Sequence, residues 1–243
     1  MTPSLTILRE HDSELGRVSL VRGVRGHEFN RTSCPHRQFW LMLGGEWSET
    51  TGGRFRRIRR GQAVHYVGRQ PSRRVAETDF MAVSVLAHPA SPRGAKPELQ
   101  QSQIRALWRA AQAVQTHPEA LPAALAELIS TDQPGKAEVQ DWLEHALHLL
   151  DQRDGPAMTL IELADAIGIS PNHLSIEFTR RVGVNLKTYQ RRQRLLRSLR
   201  TELPLGRAWP VGGFYDSSHF YRVVKAETGL SPRELESLLA AVP

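Results

Sequence analysis

Apolar residues along the chain follow two different periods. From Leu5 to about Leu86 they form short runs separated by turn residues, as in RVSLVRGVRG, RQFWLMLGGEW, ETTGGRF, GQAVHYVGRQP and MAVSVLAHP. Runs of about five residues bounded by glycine-rich turns are typical of an all-β sandwich or barrel. This part of the chain is therefore predicted to be a β domain.

Helical periodicity begins after the linker-like stretch ASPRGAK at 90–96. Apolar residues then recur at steps of three and four, which predicts three amphipathic helices between 97 and 151. The pattern stays helical after a break at 154–156. The predicted fold class is α+β, with a β domain at 1–92, a helical connector at 93–152 and an all-α region at 153–243.

Composition narrows the class of protein. Apolar residues make up 40% and charged residues 23% of the chain, which is ordinary for a soluble globular protein. The single cysteine excludes an internal disulfide and a Cys-rich zinc module. No signal peptide and no membrane-spanning stretch are recognisable, so a cytoplasmic protein without a membrane partner is expected. A net charge of +7 and a pI near 10.1 suggest a polyanionic partner.

Residues 160–182 have the pattern of two helices joined by a short turn. An apolar stripe ends at Gly168, where a helix needs a left-handed residue to stop, and Ser170 with Pro171 favours the start of another helix. Small Ala164 allows the close crossing that a helix-turn-helix requires. If the second helix buries its leucine, helical geometry turns outward Asn172, Ile176, Thr179 and Arg180, with Ser175 at the edge.

This outward face has the chemistry to contact base edges. Asn can pair with adenine, Ile and Thr can touch a thymine methyl group, and Arg can bind guanine or a phosphate. For this stretch alone, a helical hairpin packed on its neighbours is the alternative. A second unit strengthens the first interpretation, because Gly213 follows Gly168 by 45 residues and again precedes a short amphipathic helix. There Asp216 is the predicted N-cap, and the outward residues are Ser218, Arg222 and Lys225, with His219 at the margin.

A basic segment, LKTYQRRQRLLRSLRTEL, joins the two units. A helix of about 17 residues is about 25 Å long and, with its turns, can hold two recognition helices near one DNA pitch apart, about 34 Å. One monomer could thus enter successive major grooves, with Arg191 and Arg192 along the phosphate backbone. Without flanking repeats, a solvated basic face is the usual explanation of such a run.

These segments together resemble the paired helix-turn-helix domain of the AraC/XylS family of bacterial transcription regulators. LADAIGISPNHLSIEFTRRVG, RLLRSLRTELPL and GFYDSSHFYRVVKAETGLSP match it in order and spacing over about 157–238. The resemblance implies a seven-helix domain that binds double-stranded DNA at promoters, with RNA polymerase and a small-molecule effector as further candidate partners. It places on base-facing positions Asn172, Ser175, Ile176, Thr179, Ser217, Ser218, His219 and Arg222.

The first helix of the second unit departs from the family pattern. Here the residues are LGRAWPVG. Pro210 inside a helix can cost about 3 kcal/mol and Gly212 up to about 1 kcal/mol more, while Trp209 replaces a small residue at the crossing. We expect a distorted second unit, with the first unit supplying most base discrimination. A protein-binding adaptor whose second unit no longer binds DNA is the corresponding alternative.

The family commonly places a cupin-like β-barrel before a helical dimerisation segment. RTSCPHRQFWLMLGGEW and RRIRRGQAVHYVGRQPSRRV resemble the two halves of a cupin repeat. A cupin enzyme needs clustered His and carboxylate ligands for a metal. His36 stands near the first half, but Ser72 and Arg73 stand where a late His is expected. A metal-free sensor or dimer scaffold, without cofactor or enzymatic activity, is therefore favoured over a metalloenzyme.

Three smaller features complete the predictions. The apolar faces at 97–115 and 136–151 exceed what one small barrel needs to cover, which favours a homodimer through one of them. The arginine run at 54–60 is expected to be a solvated hairpin, with binding of an acidic effector or DNA as the alternative. Cys34 is expected to be inert core rather than a redox sensor.

Overall fold

The computed structural model describes residues 5–29, 37–51, 54–66, 72–88, 99–130, 141–153, 157–201 and 203–240. The predictions for Cys34, His36, the linker at 90–96 and the break at 154–156 lie outside these residues. Within them, the strands are β1 Leu5–Ser13, β2 Gly16–Gly23, β3 Arg37–Gly44, β4 Glu46–Thr51, β5 Arg54–Arg59, β6 Ala63–Tyr66, β7 Ser72–Ala76 and β8 Phe80–Ala87. The helices are α1 Gln101–Thr116, α2 Leu121–Ser130, α3 Asp141–Gln152, α4 Leu160–Ile167, α5 Pro171–Val182, α6 Leu186–Arg200, α7 Leu205–Ala208, α8 Ser217–Thr228 and α9 Pro232–Ala240.

The strands form two antiparallel sheets, which confirms the predicted α+β class with the β region first. One sheet has the order β1-β2-β8-β3-β6 and the other β5-β4-β7. An apolar core lies between them and contains Trp40, Trp47 and Phe80, whose rings meet edge to face at 5.2–5.4 Å. Such contacts stabilise the core beyond simple area burial.

The central strands β3 and β8 of the five-stranded sheet are buried on both faces. Along β3, Trp40 and Met42 point into the core between the sheets, while Phe39, Leu41 and Leu43 join the core on the opposite face. Because successive side chains of a strand alternate, a strand segment buried on both sides is apolar at every position, as FWLML at 39–43 of β3 is. The opposite face must therefore be covered by helices.

Helix α1 provides most of that cover. It contacts β1, β2, β3 and β8 on one side and α8 on another, and Leu107, Trp108 and Ala111 are at most 2% exposed. Helix α3 buries its own apolar face against α4 and α5. The described parts of both faces that favoured a homodimer, 101–115 and 141–151, thus pack inside the chain, and the homodimer stays a prediction.

The helices belong to two separate cores. One contains α3, α4, α5 and the start of α6. The other contains the end of α6 together with α7, α8, α9, α1 and the five-stranded sheet. Among the described residues, α3 to α9 make seven helices, the number that the resemblance implied. No described helix is both long and apolar enough to cross a bilayer.

The arginines of β5 are only partly solvated. Arg56 pairs with the fully buried carboxylate of Glu49, with Nη2 and Oε2 3.0 Å apart, and Arg59 pairs with Glu46. Arg60 Nη1 donates to the carbonyl of Thr201, 3.3 Å away, between α6 and α7. The expectation of a solvated hairpin therefore holds for Arg56 and Arg57, which are exposed on the β4–β5 hairpin, whereas Arg59 and Arg60 are half-buried because Glu46 and Thr201 bind them.

Candidate nucleic-acid interface

Local capping interactions fix the ends of the two helices of the first unit. Thr159 and Glu162 form a capping box at the start of α4, which ends at Gly168 with φ 73°. The hydroxyl of Ser170 accepts from the amide of His173 at the start of α5. Left-handed backbone is accessible to glycine without a steric penalty. Fully buried Ala164 lies in the core that α4 shares with α5, as the sequence predicted.

The outward face of α5 is the one predicted from helical rotation. Leu174 and Phe178 are fully buried, and Val182 is 2% exposed. Ile176 is 58% exposed, so its side chain is free to touch a thymine methyl group as predicted. The predicted base-facing residues of α5 are all exposed: Asn172, Ser175, Ile176, Thr179 and Arg180.

Glu177 neutralises part of the positive charge of α5. Its carboxylate accepts from Arg180 Nε and Nη2 at 2.9 and 2.5 Å and from Arg181 Nε at 2.9 Å. These hydrogen bonds lower the pKa of Glu177 to about 2. The sequence contained this signal, because residues three and four apart on a helix are neighbours. Arg180 is therefore exposed but already held by a carboxylate.

The second unit retains a complete second helix. Helix α8 has 12 residues, as α5 does, and runs from the Asp216 N-cap to Gly229 with φ 78°. Phe220 and Val224 are fully buried. Ser218, Arg222 and Lys225 are exposed, and Lys225 Nζ donates to the carbonyl of Gly229 at 2.8 Å. Ser217 and His219 are half-buried, with the His219 ring 5.5 Å from Phe214.

The first helix of that unit is shortened, as the proline predicted. Helix α7 covers only Leu205–Ala208, and turns follow to Gly213. Arg194 of α6 holds these turns, because its Nε donates to the Gly212 carbonyl at 3.0 Å, its Nη2 donates to the Gly213 carbonyl and its guanidinium lies over the Phe214 ring. The distortion is therefore confined to the end of the first helix.

We predict that Gly212→Ala destabilises the protein by about 1–3 kcal/mol, the usual cost of overpacking. A Cβ atom there would lie 2.3 Å from Ser198 Oγ and 2.5 Å from the Arg194 carbonyl oxygen. Urea unfolding measures the loss. Gly206→Ala is the control, since its Cβ would meet only the Tyr221 hydroxyl at 3.3 Å. Equal stability of the two variants would contradict close packing at Gly212.

Two arginines that were predicted to contact phosphates are held in ion pairs within the protein. Arg191 and Arg192 of α6 both pair with Glu227 of α8, at 2.6 and 3.0 Å, and that carboxylate is 3% exposed. Arg192 is itself only 13% exposed and also donates to Gln101 of α1. Their place along a phosphate backbone stays a prediction, and both guanidinium groups are already held by a buried carboxylate 36 and 35 residues away.

Sequence reasoning missed Tyr215 beside this surface. It lies in the turn immediately before α8 and is 92% exposed. Exposed aromatic rings with a hydrogen-bonding tip are suited to contact surfaces. Its place directly before the Asp216 N-cap was the available signal.

Residues 163–237 match the family model described as a helix-turn-helix domain, which is of the AraC type. The carboxy-terminal region is therefore an AraC-type helix-turn-helix domain, which confirms the resemblance found in the sequence. The bifunctional transcriptional activator and DNA repair enzyme Ada of Escherichia coli strain K12 is 34% identical over 110 residues. That match covers 42% of this chain and 30% of Ada, so the chain spans less than a third of the length of this curated relative.

Several solved structures are weakly similar. A cupin superfamily protein from Desulfitobacterium hafniense is 11% identical with a TM-score of 0.33, covering 36% of this chain and 80% of that one. An HTH_3 family transcriptional regulator from Vibrio cholerae is 12% identical with a TM-score of 0.33, covering 35% and 52%. At these scores no conclusion about this chain follows.

Proposed function

We propose that this protein is a sequence-specific DNA-binding transcription regulator whose helices α5 and α8 enter adjacent major grooves. One observation carries the proposal: two helices of 12 residues, each with a side-chain N-cap and a C-terminal glycine, present exposed polar faces from units joined by one helix. Such a second helix is the element that a helix-turn-helix inserts into the groove. The AraC-type domain match supports the same function.

The proposed base contacts come mainly from α5. Its face offers Asn172, Ser175, Ile176 and Thr179, all exposed and none of them buried by the rest of the chain. On α8, Ser218 and Arg222 are the freest, whereas Ser217 and His219 are half-buried and Lys225 caps its own helix. Arg180 and Lys225 suit phosphate contacts, while Arg191 and Arg192 are left out. The β domain is proposed to act as a sensor without enzymatic activity.

We predict that Asn172→Ala removes about 1–3 kcal/mol of discrimination between a selected duplex and a scrambled one, the usual value of one bidentate base contact. Arg222→Ala should remove less of this discrimination than Asn172→Ala does, because α8 offers fewer free groups for base contacts. Fluorescence anisotropy on duplexes selected from genomic fragments measures both. His173→Ala is the control, since His173 lies on the same helix but faces Trp142.

The salt dependence of binding gives an independent check. Six to ten phosphate contacts would lower affinity by about 10³–10⁵ between 50 and 200 mM salt. Equal, weak binding of the wild type to every duplex would contradict the proposal. It would favour the second candidate function, a protein-binding adaptor, which the shortened α7 supports. Loss of preference in Arg222→Ala but not in Asn172→Ala would reverse the assigned order of the two units.

A further inference from the structure

A cavity of about 250 Å³ lies where the β domain meets the helices. The β5–β6 turn contributes Gly61 and Gln62, α1 contributes Trp108, the end of α3 contributes Asp151, and α6 and α8 complete the wall. At about 30 Å³ per water, this volume is equivalent to about eight water molecules, or a ligand of on the order of ten non-hydrogen atoms. Ligand sites are common at such junctions between domains.

One side of the cavity is apolar. Leu195, Leu196 and Leu199 of α6 face it together with Ile104 and Trp108 of α1. Leu195, Leu199 and Trp108 are at most 4% exposed, so their positions are fixed by the surrounding core. This side can accept a flat or branched hydrocarbon body of a small molecule.

The polar side carries more positive than negative charge. Arg57 lines the cavity, is exposed, and has no carboxylate within ion-pair distance among the described residues. Arg192 also lines it, and it shares the single carboxylate of Glu227 with Arg191. In the described part of the chain its hydrogen bonds use Nε and Nη2, which leaves Nη1 for a ligand.

Asp151 offsets this charge only partly. Its carboxyl accepts from the Tyr189 hydroxyl at 3.1 Å. Arg56, the third arginine at the cavity, is already neutralised by Glu49. Asp151 and Glu227 together face Arg57, Arg192 and Arg191, which shares Glu227, so one positive charge is left in excess and the cavity is complementary to an anion.

We propose that this cavity binds a small organic acid, with its carboxylate toward Arg57 and Arg192 and its apolar body against Leu196 and Trp108. A guanidinium paired with a carboxylate forms strong charge-assisted hydrogen bonds. The apolar wall selects an acid with a hydrocarbon body over inorganic phosphate. This binding site goes beyond the proposed function, and ligand binding to it does not require DNA.

The same site is connected to the second helix-turn-helix unit. Gln101 Nε2 of α1 donates to the carbonyls of Ala226 and Glu227 at the end of α8, at 3.0 and 2.9 Å, and Arg105 Nε donates to Ala226 at 2.6 Å. A ligand at Nη1 of Arg192 would bind the same guanidinium that Glu227 and Gln101 hold through Nε and Nη2. Because a ligand shifts an equilibrium by its differential affinity for two states, occupancy should change how α8 is held against α1. This coupling rests on the proposed function.

Calorimetric titration of the full chain tests the binding site with three probes of similar size. Phenylacetate is expected to bind saturably, 2-phenylethanol more weakly, and 2-phenylethylamine not measurably. Tighter binding of the amine would show that Asp151 dominates the cavity and would overturn the proposal. Absence of phenylacetate binding would overturn it too.

Variants locate the bound probe. Arg57→Gln is expected to weaken phenylacetate binding about tenfold, as loss of one charge-assisted contact implies. Arg22→Gln is the matched control, because Arg22 is an exposed strand arginine that does not line the cavity. Ala63→Leu, which places a larger side chain in the cavity wall, should abolish binding. Equal weakening by Arg57→Gln and Arg22→Gln, or unchanged binding in Ala63→Leu, would overturn the site.

The coupling has its own readout. Saturating phenylacetate is expected to change hydrogen exchange at the end of α8 and the affinity for a selected duplex. Unchanged exchange in α8 despite calorimetric binding would overturn the coupling alone. Failure of all duplex binding would contradict the proposed function, while the calorimetric result would still decide the binding site.

Discussion

Replacing Phe220 with alanine is expected to lower the free energy of unfolding by about 3–5 kcal/mol, the usual cost of truncating a buried phenylalanine. Phe220 is fully buried, and its ring lies 5.1 Å from that of Phe214. It belongs to the core that also contains α1 and the five-stranded sheet. The damage should therefore extend beyond the helix-turn-helix unit into the β domain.

Hydrogen exchange measures how far that damage spreads. In Phe220→Ala, amides of β3, α1 and α9 should exchange faster together, because elements that share a core open together. Phe178→Ala is the matched control: it removes an equally buried ring from the other core and should accelerate exchange in α3, α4 and α5. Faster exchange confined to α7, α8 and α9 in Phe220→Ala would show that the β domain and second unit open independently.

Glu227→Gln is expected to destabilise the protein by about 2–3 kcal/mol. Removing one partner of a fully buried ion pair costs about 3–5 kcal/mol. The predicted loss falls at or below the bottom of that range because Arg191 is 39% exposed and so partly solvated. The substitution leaves Arg191 and Arg192 close together without a carboxylate between them. At about 2–4 °C per kcal/mol for a chain of this size, the midpoint of thermal unfolding should fall by about 4–12 °C.

The control for this prediction is Glu119→Gln. Glu119 is 77% exposed and its nearest charged partner is His117, so its loss should leave the unfolding midpoint unchanged. A Glu227→Gln midpoint equal to the wild type would mean that the Gln101 and Arg105 contacts alone hold α8 against α1. A midpoint lowered equally in both variants would point to net charge rather than to this ion pair.

Local patterns predicted much of the fold because they act within a few residues. The caps at Ser170 and Asp216 and the stop at Gly168 are short-range hydrogen bonds and backbone preferences. The outward face of α5 follows from the same helical period that buries Leu174 and Phe178. The shortening of α7 was also predicted, since Pro210 removes a donor from the helical ladder.

The domain boundaries placed at 92 and 152 stay a prediction, and the two helical cores cross both of them. Helix α3 packs with α4 and α5 although the sequence grouped it with the connector. Helix α1, from the same connector, lies in the core of the sheet and the second unit. Periodicity shows that a helix has an apolar face but not which distant element covers it, so this division could not be predicted.

The sequence by itself determined the α+β order of elements, the two capped helix pairs and the residues that α5 turns outward, because each of these depends on neighbours within about one or two helical turns. Only the tertiary structure decided the direction of Arg191 and Arg192 and the use of the α1 apolar face. Glu227 is 35 and 36 residues away from those arginines, and Gln101 is 91 residues from Arg192. Contacts at such separations depend on how whole helices and strands pack against one another. A local pattern of residues contains no information about that packing.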